Sequence, residues 1–209
     1  MRTKQTLFNA LVAGILSGKF KPRERLIERD LVAQFRVSRT PIREAIRRLE
    51  EFGLVHCFPN RGAIVTEFSP NDIEDLYFLR IYLERLACKL SFSNLRTEEI
   101  RTLQKINGKL KQLMKNNNLS ELIEKDREFH HAIYSGSRNN FLVQVIDELR
   151  VKSYIVSYYS WADQNQIKVS IAEHKEIIKA LKERNREKFQ NLIEQHMVSK
   201  KVFYLENLR

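Results

Sequence analysis

Phe35-Arg-Val-Ser-Arg-Thr-Pro-Ile-Arg-Glu-Ala-Ile-Arg-Arg-Leu-Glu50 carries two stripes at helical spacing. Ile42, Ala45, Ile46 and Leu49, continued by Phe52, recur at steps of three and four, so one face of a helix must be buried. Arg39, Arg43 and Arg47 stand at i, i+4 and i+8 on another face, pointing away from that core. Ser38 reads as the N-cap, Pro41 lies in the first turn, and Gly53 reads as the C-cap. A row of guanidinium groups on one face suits the major groove of double-stranded DNA, where Arg bonds guanine O6 and N7 or grips phosphate. The Ser38 and Thr40 hydroxyls sit at the helix N-terminus, where backbone N–H groups and the helix dipole also favour phosphate. Taken alone, such a stripe is equally a solvated surface, and Glu44 and Glu50 temper its charge.

The flanking sequence supplies the context. Upstream, helices are expected over residues 4–17, with Leu7, Leu11 and Ile15 on one face, and over 27–35, with Ile27, Leu31 and Val32. Gly18 and Pro22 separate them. Downstream, Leu54-Val-His-Cys-Phe58 and Ala63-Ile-Val-Thr66 read as strands joined by Pro59-Asn-Arg-Gly62. This hairpin places Asn60, Arg61 and Gly62 at its tip, and Gly62 lets the backbone pass close to a phosphate. A short helix, a tight connection, a helix with exposed arginines and a basic wing make a winged helix-turn-helix.

Ser69-Pro70 then reads as the cap and first turn of another helix, which puts a domain boundary near residue 68. The expected fold is mainly α: a winged helix-turn-helix over 1–68 and an antiparallel helical bundle over 69–209. The bundle segments are 70–93, 97–115, 119–135, 140–160, 167–184 and 186–207.

Composition bounds the function. At about 150 residues per domain, a chain of 209 residues is one large domain or two small ones. Hydrophobic residues at 43% and charged residues at 30% fit a soluble globular chain and exclude wholesale disorder. Lys and Arg number 37 against 26 Asp and Glu, a net charge of +11. That surplus predicts a polyanionic partner. It is denser in residues 1–67, with 13 basic and 7 acidic residues, than in 68–209, with 24 and 19. Cys57 and Cys88 form no disulfide framework and suit a reducing cytoplasm. No apolar run approaches the roughly 18 residues that span a bilayer, and Ala10–Leu16 is too short for a secretory signal. No membrane partner is expected.

The quoted stretch, with Phe52-Gly-Leu-Val55 and Arg61-Gly62 after it and Ile15-Leu-Ser-Gly18, Pro22, Leu26 and Arg29-Asp-Leu31 before it, resembles the winged helix-turn-helix of GntR-type bacterial transcription regulators. The resemblance spans residues 8–66. It implies DNA contacts from Arg29, Arg39, Arg43 and the wing. Lys21-Pro22 departs from the usual Pro-Gly, which changes a turn.

A second constellation lies in the helical part. Asp126 and His130, at i and i+4, share a helix face. His174 falls among Ile167, Ile171, Ile178 and Leu181, and His196 among Phe189, Leu192, Ile193 and Phe203. Both histidines therefore face inward, where an unpaired polar group is costly. Three imidazoles and a carboxylate from three helices suit Zn(II), Ni(II) or another borderline divalent cation. Spacing alone also allows three separately hydrogen-bonded core histidines. His131 turns about 100° away from His130 around the helix, and His56 lies on the wing, so neither joins the set.

Leu79-Arg-Ile-Tyr-Leu-Glu84, then Asp126-x-x-x-His130, Asn140, Glu173-His174 and His196, in that order, resemble the FCD ligand-binding domain of the FadR subfamily over residues 72–207. The resemblance implies a bound metal, a small carboxylate effector completing its coordination, and Arg80 near that pocket. It argues against fatty acyl thioesters.

The expected function is a ligand-responsive transcription regulator, a repressor acting as a homodimer on a palindromic operator, and not an enzyme. Phe78, Leu79, Tyr82, Leu83 and Leu86 exceed what one buried stripe needs and are candidates for the dimer face. Two other readings are an architectural DNA-binding protein with a structural metal and a metal-dependent hydrolase. Against the hydrolase, the chain offers no His-Asp doublet and no assigned general base.

Overall fold

Two apolar cores form, each from its own set of stripes. The computed structural model describes residues 4–16, 19–58, 62–116, 119–153, 156, 160, 161 and 163–206. It separates into one unit of Met1–Ser69 with Val151–Ile155 and another of Pro70–Arg150 with Val156–Arg209.

In the first unit, α1 (Lys4–Leu16), α2 (Glu28–Phe35) and α3 (Arg39–Glu51) pack together. The α3 stripe of Ile42, Ala45, Ile46 and Leu49 is buried, as are Leu7, Phe8, Leu11 and Ile15 of α1. Phe8 meets Phe52 with ring centroids 5.3 Å apart. Gly14 is set by close approach: a Cβ there would stand 2.5 Å from the Phe20 ring. Its helical cost of about 1 kcal/mol is offset by burying that ring. Gly53 closes α3 at φ +65, its N–H donating to the Glu50 carbonyl. Ser38 holds the N-cap position in extended conformation, but its side chain makes no cap hydrogen bond. An N–H of the first turn of α3 is thus left for another acceptor.

The sheet has three strands where the sequence pattern predicts two. β1 (Arg25–Leu26), β2 (Val55–Phe58) and β3 (Gly62–Val65) lie in the order β1-β3-β2, both pairings antiparallel. Arg25 faces Ile64 and Val55 faces Val65. Two residues are too few for an alternation to show, and only the partner strand makes Arg25–Leu26 a strand. Of the expected hairpin tip, Pro59, Asn60 and Arg61 lie outside the described residues.

The second unit is helical: α4 (Pro70–Ser91), α5 (Thr97–Leu113) with a 3-10 turn over Met114–Asn116, α6 (Leu119–Ser135), α7 (Asn140–Lys152), α8 (Gln164–Lys182) and α9 (Arg186–Glu206). α4 packs on α6 and α9, α5 on α6 and α8, and α8 on α9. Two boundaries differ from the periodicity. α8 starts at Gln164 because Asp163 Oδ1 accepts the N–H groups of Asn165 and Gln166, a cap worth about 1 kcal/mol. The helix expected over 140–160 ends at Lys152, with Ser153 in a turn. No Gly or Pro marks that stop. The sequence from Ser153 to Ser160 is rich in Ser, Tyr and β-branched residues, all weak helix formers.

Candidate metal centre and nucleic-acid interface

α6, α8 and α9 bring Asp126, His130, His174 and His196 to one buried point, with one candidate ligand atom from each, all within 4.8 Å of one another. His130 Nε2 faces His196 Nε2 at 3.2 Å, and His174 Nε2 faces Asp126 Oδ1 at 3.4 Å. Phe129 stacks on His174 with centroids 4.0 Å apart, which holds that ring in place.

The partners on the far side of each ring settle the proton positions. His196 Nδ1 lies 2.6 Å from Glu173 Oε2, so Nδ1–H donates to that carboxylate. Tyr134 donates its hydroxyl proton to Glu84 Oε2, so its oxygen accepts from His130 Nδ1–H at 3.3 Å. Both rings then aim an Nε2 lone pair at the other. Two lone pairs at 3.2 Å repel unless a cation lies between them. Outer partners that fix a tautomer in this way are the usual support of metal-ligating histidines. Two nitrogens bound to a first-row cation at about 2.1 Å each stand about 3.0–3.4 Å apart, which the observed spacing matches. His174 adds a further sign: its Nδ1 and Nε2 are both buried with no hydrogen-bond partner. A buried orphan nitrogen costs about 1–3 kcal/mol, and a metal bond removes that cost.

Electrostatics agree. Burial, then Arg150, drives the His130 pKa down to about 3. Burial also takes His174 and His196 well below their ordinary value, helped by His196 for the first and Lys200 for the second. All three imidazoles are neutral near pH 7, the state a metal ligand requires. Burial opposes ionisation of Asp126, yet Lys200 overcomes it and holds the carboxyl well below the usual range.

Arg80 is buried, with Nε on Glu84 Oε1 at 2.8 Å and its guanidinium 4.7 Å from the centre of the Tyr77 ring. It connects to the cluster through Glu84 and Tyr134. Two cations that the sequence reading passed over lie directly on Asp126: Arg150 Nη2 at 3.4 Å and Lys200 Nζ at 3.5 Å. Tyr134 and Lys200 stand four residues after His130 and His196, and Glu84 four after Arg80, so the helical period held the signal. Arg150, and the pairing of Glu173 with His196, are long-range and had none. His131 bonds Asp147 at 2.9 Å, away from the cluster.

In the other unit, Ser38, Arg39, Thr40, Arg43 and Arg47 are exposed along α3, and Arg29 is exposed on α2. Arg43 Nε binds both carboxylate oxygens of Glu28, at 2.9 and 3.0 Å. Arg47 pairs with Glu51 at 3.6 Å and Arg29 with Asp30 at 3.2 Å. Arg39 makes no ion pair among the described residues. Gly62, at φ +75, opens β3. Asn60 and Arg61 lie outside the described residues.

Residues 3–65 match the bacterial regulatory proteins of the gntR family, and residues 75–199 match the FCD domain. The chain belongs to the GntR family. YdhC, an HTH-type transcriptional regulator of Bacillus subtilis strain 168, is 30% identical over 181 residues, 86% of this chain and 81% of its own. The Nta operon transcriptional regulator of Aminobacter aminovorans is 30% identical over 171 residues, 81% of this chain and 79% of its own. The solved structure of E. coli McbR/YncC shares the fold over 100% of both chains, with a TM-score of 0.71 and 24% identity. This GntR protein is therefore a DNA-binding transcription regulator of the FCD type and not an enzyme, which removes the hydrolase reading. Its FCD domain contains a His/Asp cluster that can bind a metal ion. No helix among the described residues is long and apolar enough to cross a membrane.

The outer shell of the cluster yields one stability prediction. Glu84 is fully buried and receives Arg80, Arg150 and Tyr134. Glu84→Ala removes the carboxylate both guanidinium groups share, at a cost of about 3–5 kcal/mol. Thermal unfolding followed by circular dichroism should show a large drop in Tm, and Glu84→Gln a smaller one.

Proposed function

We propose that Asp126, His130, His174 and His196 hold one divalent transition metal, Zn(II) or Ni(II), and that a small carboxylate effector bound there weakens binding of a repressor to its operator. The observation that carries this reading is the pair of Nε2 lone pairs aimed at each other, with the buried ring nitrogens of His174 beside them making no hydrogen bond. When bound, such a cation supplies a Lewis-acidic centre with open positions for a carboxylate. The chain's own residues do the rest. Glu173 and Tyr134 orient His196 and His130. Arg150 and Lys200 hold Asp126 ionised and add positive charge beside it, which favours an anionic effector. Arg80 acts one step further out, through Glu84.

Residues 1–68 form the DNA-binding domain in this reading, with Arg29, Ser38, Arg39, Thr40, Arg43, Arg47, Asn60, Arg61 and Gly62 as the contacting set. The ion pair of Arg43 with Glu28 does not oppose this. An exposed pair is worth about 0–1 kcal/mol, whereas a bidentate Arg–guanine contact is worth about 1–3 kcal/mol. Arg43 can therefore exchange one partner for the other. Residues 69–209 bind effector and dimerise. Phe78, Tyr82, Leu86 and Leu90 recur every four residues along α4 and are 60%, 65%, 45% and 42% exposed, an apolar stripe that a second copy would cover. Leu83, expected with them, is only partly exposed. Two such heads on a palindrome supply the affinity one head lacks. The effector acts by preferring one arrangement of the dimer over the other.

Three measurements test this. Purified protein incubated with Zn(II) should retain about one equivalent by elemental analysis. His174→Ala should lose it, lower Tm by linkage and abolish any carboxylate response, while metal-free operator binding stays close to wild type. If wild type retains no metal, the effector scheme fails. Arg39→Ala and Arg43→Ala should each weaken binding to a cognate operator by about 1–3 kcal/mol, with affinity falling steeply with salt; unchanged affinity in both would overturn the interface. Tyr82→Glu should turn a dimer into a monomer in sedimentation velocity, and a wild-type monomer with and without DNA would refute the dimer.

A further inference from the structure

Between α5 and α8 runs a furrow of about 610 Å³ that the metal cluster does not use. It is lined by Lys111, Lys168, Lys175, Lys179 and Lys182 together with Met114, Ile171 and Ile178, and by the exposed Gly108 and Ala172. No acidic residue among the described residues lines it. Lys111, Lys168, Lys175 and Lys182 make no ion pair among the described residues, and Lys179 reaches Glu183 only at 3.9 Å. The furrow continues past Gln104 and Lys182 to Arg101 and Arg184. Neighbouring like charges along one face repel one another where salt does not fully screen them, so an anion arriving there is favoured.

Gly108 is a second, independent observation. A glycine in the middle of α5 weakens the helix relative to alanine, and internal packing does not require it. A Cβ built there would meet nothing within 4 Å. Gly108 is exposed, so the missing side chain leaves the α5 side of the furrow open to close approach from outside. Charge without countercharge and a glycine without an internal reason occur at the same place.

The dimensions select the occupant. Lys168 to Lys182 span about 21 Å along α8, too far for the one or two charges of a small acid to answer. No aromatic ring among the described residues lines the furrow, whereas single-stranded nucleic acid is held by stacking on such rings. A furrow between two helices also suits neither a duplex nor a flat bilayer. An amphipathic helix fits on both counts, setting apolar anchors at i, i+3, i+4 and i+7 against Met114, Ile171 and Ile178 and carboxylates against the lysines. We propose that this furrow docks an acidic amphipathic helix of a partner protein. The inference does not rest on the metal or effector reading.

The test uses the full-length protein and a fluorescein-labelled synthetic helix with Leu at those anchor positions and Glu on both flanks. Fluorescence anisotropy should show saturable, micromolar binding. Lys175→Glu combined with Lys179→Glu should weaken it by about tenfold or more, as should Gly108→Leu, which crowds the α5 side of the furrow. Both variants should keep wild-type Tm and operator affinity, and Lys89→Glu on α4 should leave peptide binding unchanged. A peptide of equal charge with Ser in place of Leu should bind about tenfold more weakly or worse. Equal binding of the Ser peptide, indifference to the variants, or no peptide binding would each overturn the proposal. If phosphatidylglycerol vesicles or single-stranded DNA bound in the peptide's place, and the same variants abolished that binding, the furrow would belong to a different class of partner.

Discussion

The carboxylate of Asp126 sits in the bundle interior within 3.4–3.7 Å of two imidazoles, a guanidinium and an ammonium group. Stripping water from a carboxylate costs several kcal/mol even after relaxation, so the surrounding helices must return that energy. α7 supplies Arg150 and α9 supplies Lys200. Arg150 in turn needs Glu84 of α4, which also takes Arg80 and Tyr134. One buried charge on α6 thereby constrains residues on three other helices. Loosening any member exposes the rest to an unpaired interior charge. Arg80, Arg150 and Lys200 face Glu84, Asp126 and the partly exposed Glu173, so the formal charges of the network balance.

The basic face of α3 follows different physics. Its ion pairs are exposed and weak, so they align arginines without committing them. Glu28 holds the Arg43 side chain extended at little cost to its release. The interior cluster is expensive to disturb, while the surface arginines are cheap to re-partner. A regulator needs both properties: a site whose occupancy matters to packing and an interface that can be left and regained.

The readable parts of the sequence were those with a local period. The α3 stripes, Gly53 and the inward faces of His174 and His196 repeat every three to four residues, and each appears where that period puts it. Tyr134 and Lys200 obey the same period but are not of the ligand types considered, so a search restricted to those types passes over them. Arg25–Leu26 becomes a strand only because β3 lies beside it. The end of α7 carries no helix breaker, so its apolar period runs on past the stop.

The amino-acid sequence by itself determined the two cores, the basic face of α3 and the four residue types of the cluster, because these depend on neighbours one helical turn away. Tertiary structure alone decided that Glu173 would orient His196 and that Arg150 and Lys200 would hold Asp126 ionised. Those partnerships join residues on different helices, and proton positions, desolvation and lone-pair direction follow from distances that no spacing along the chain encodes.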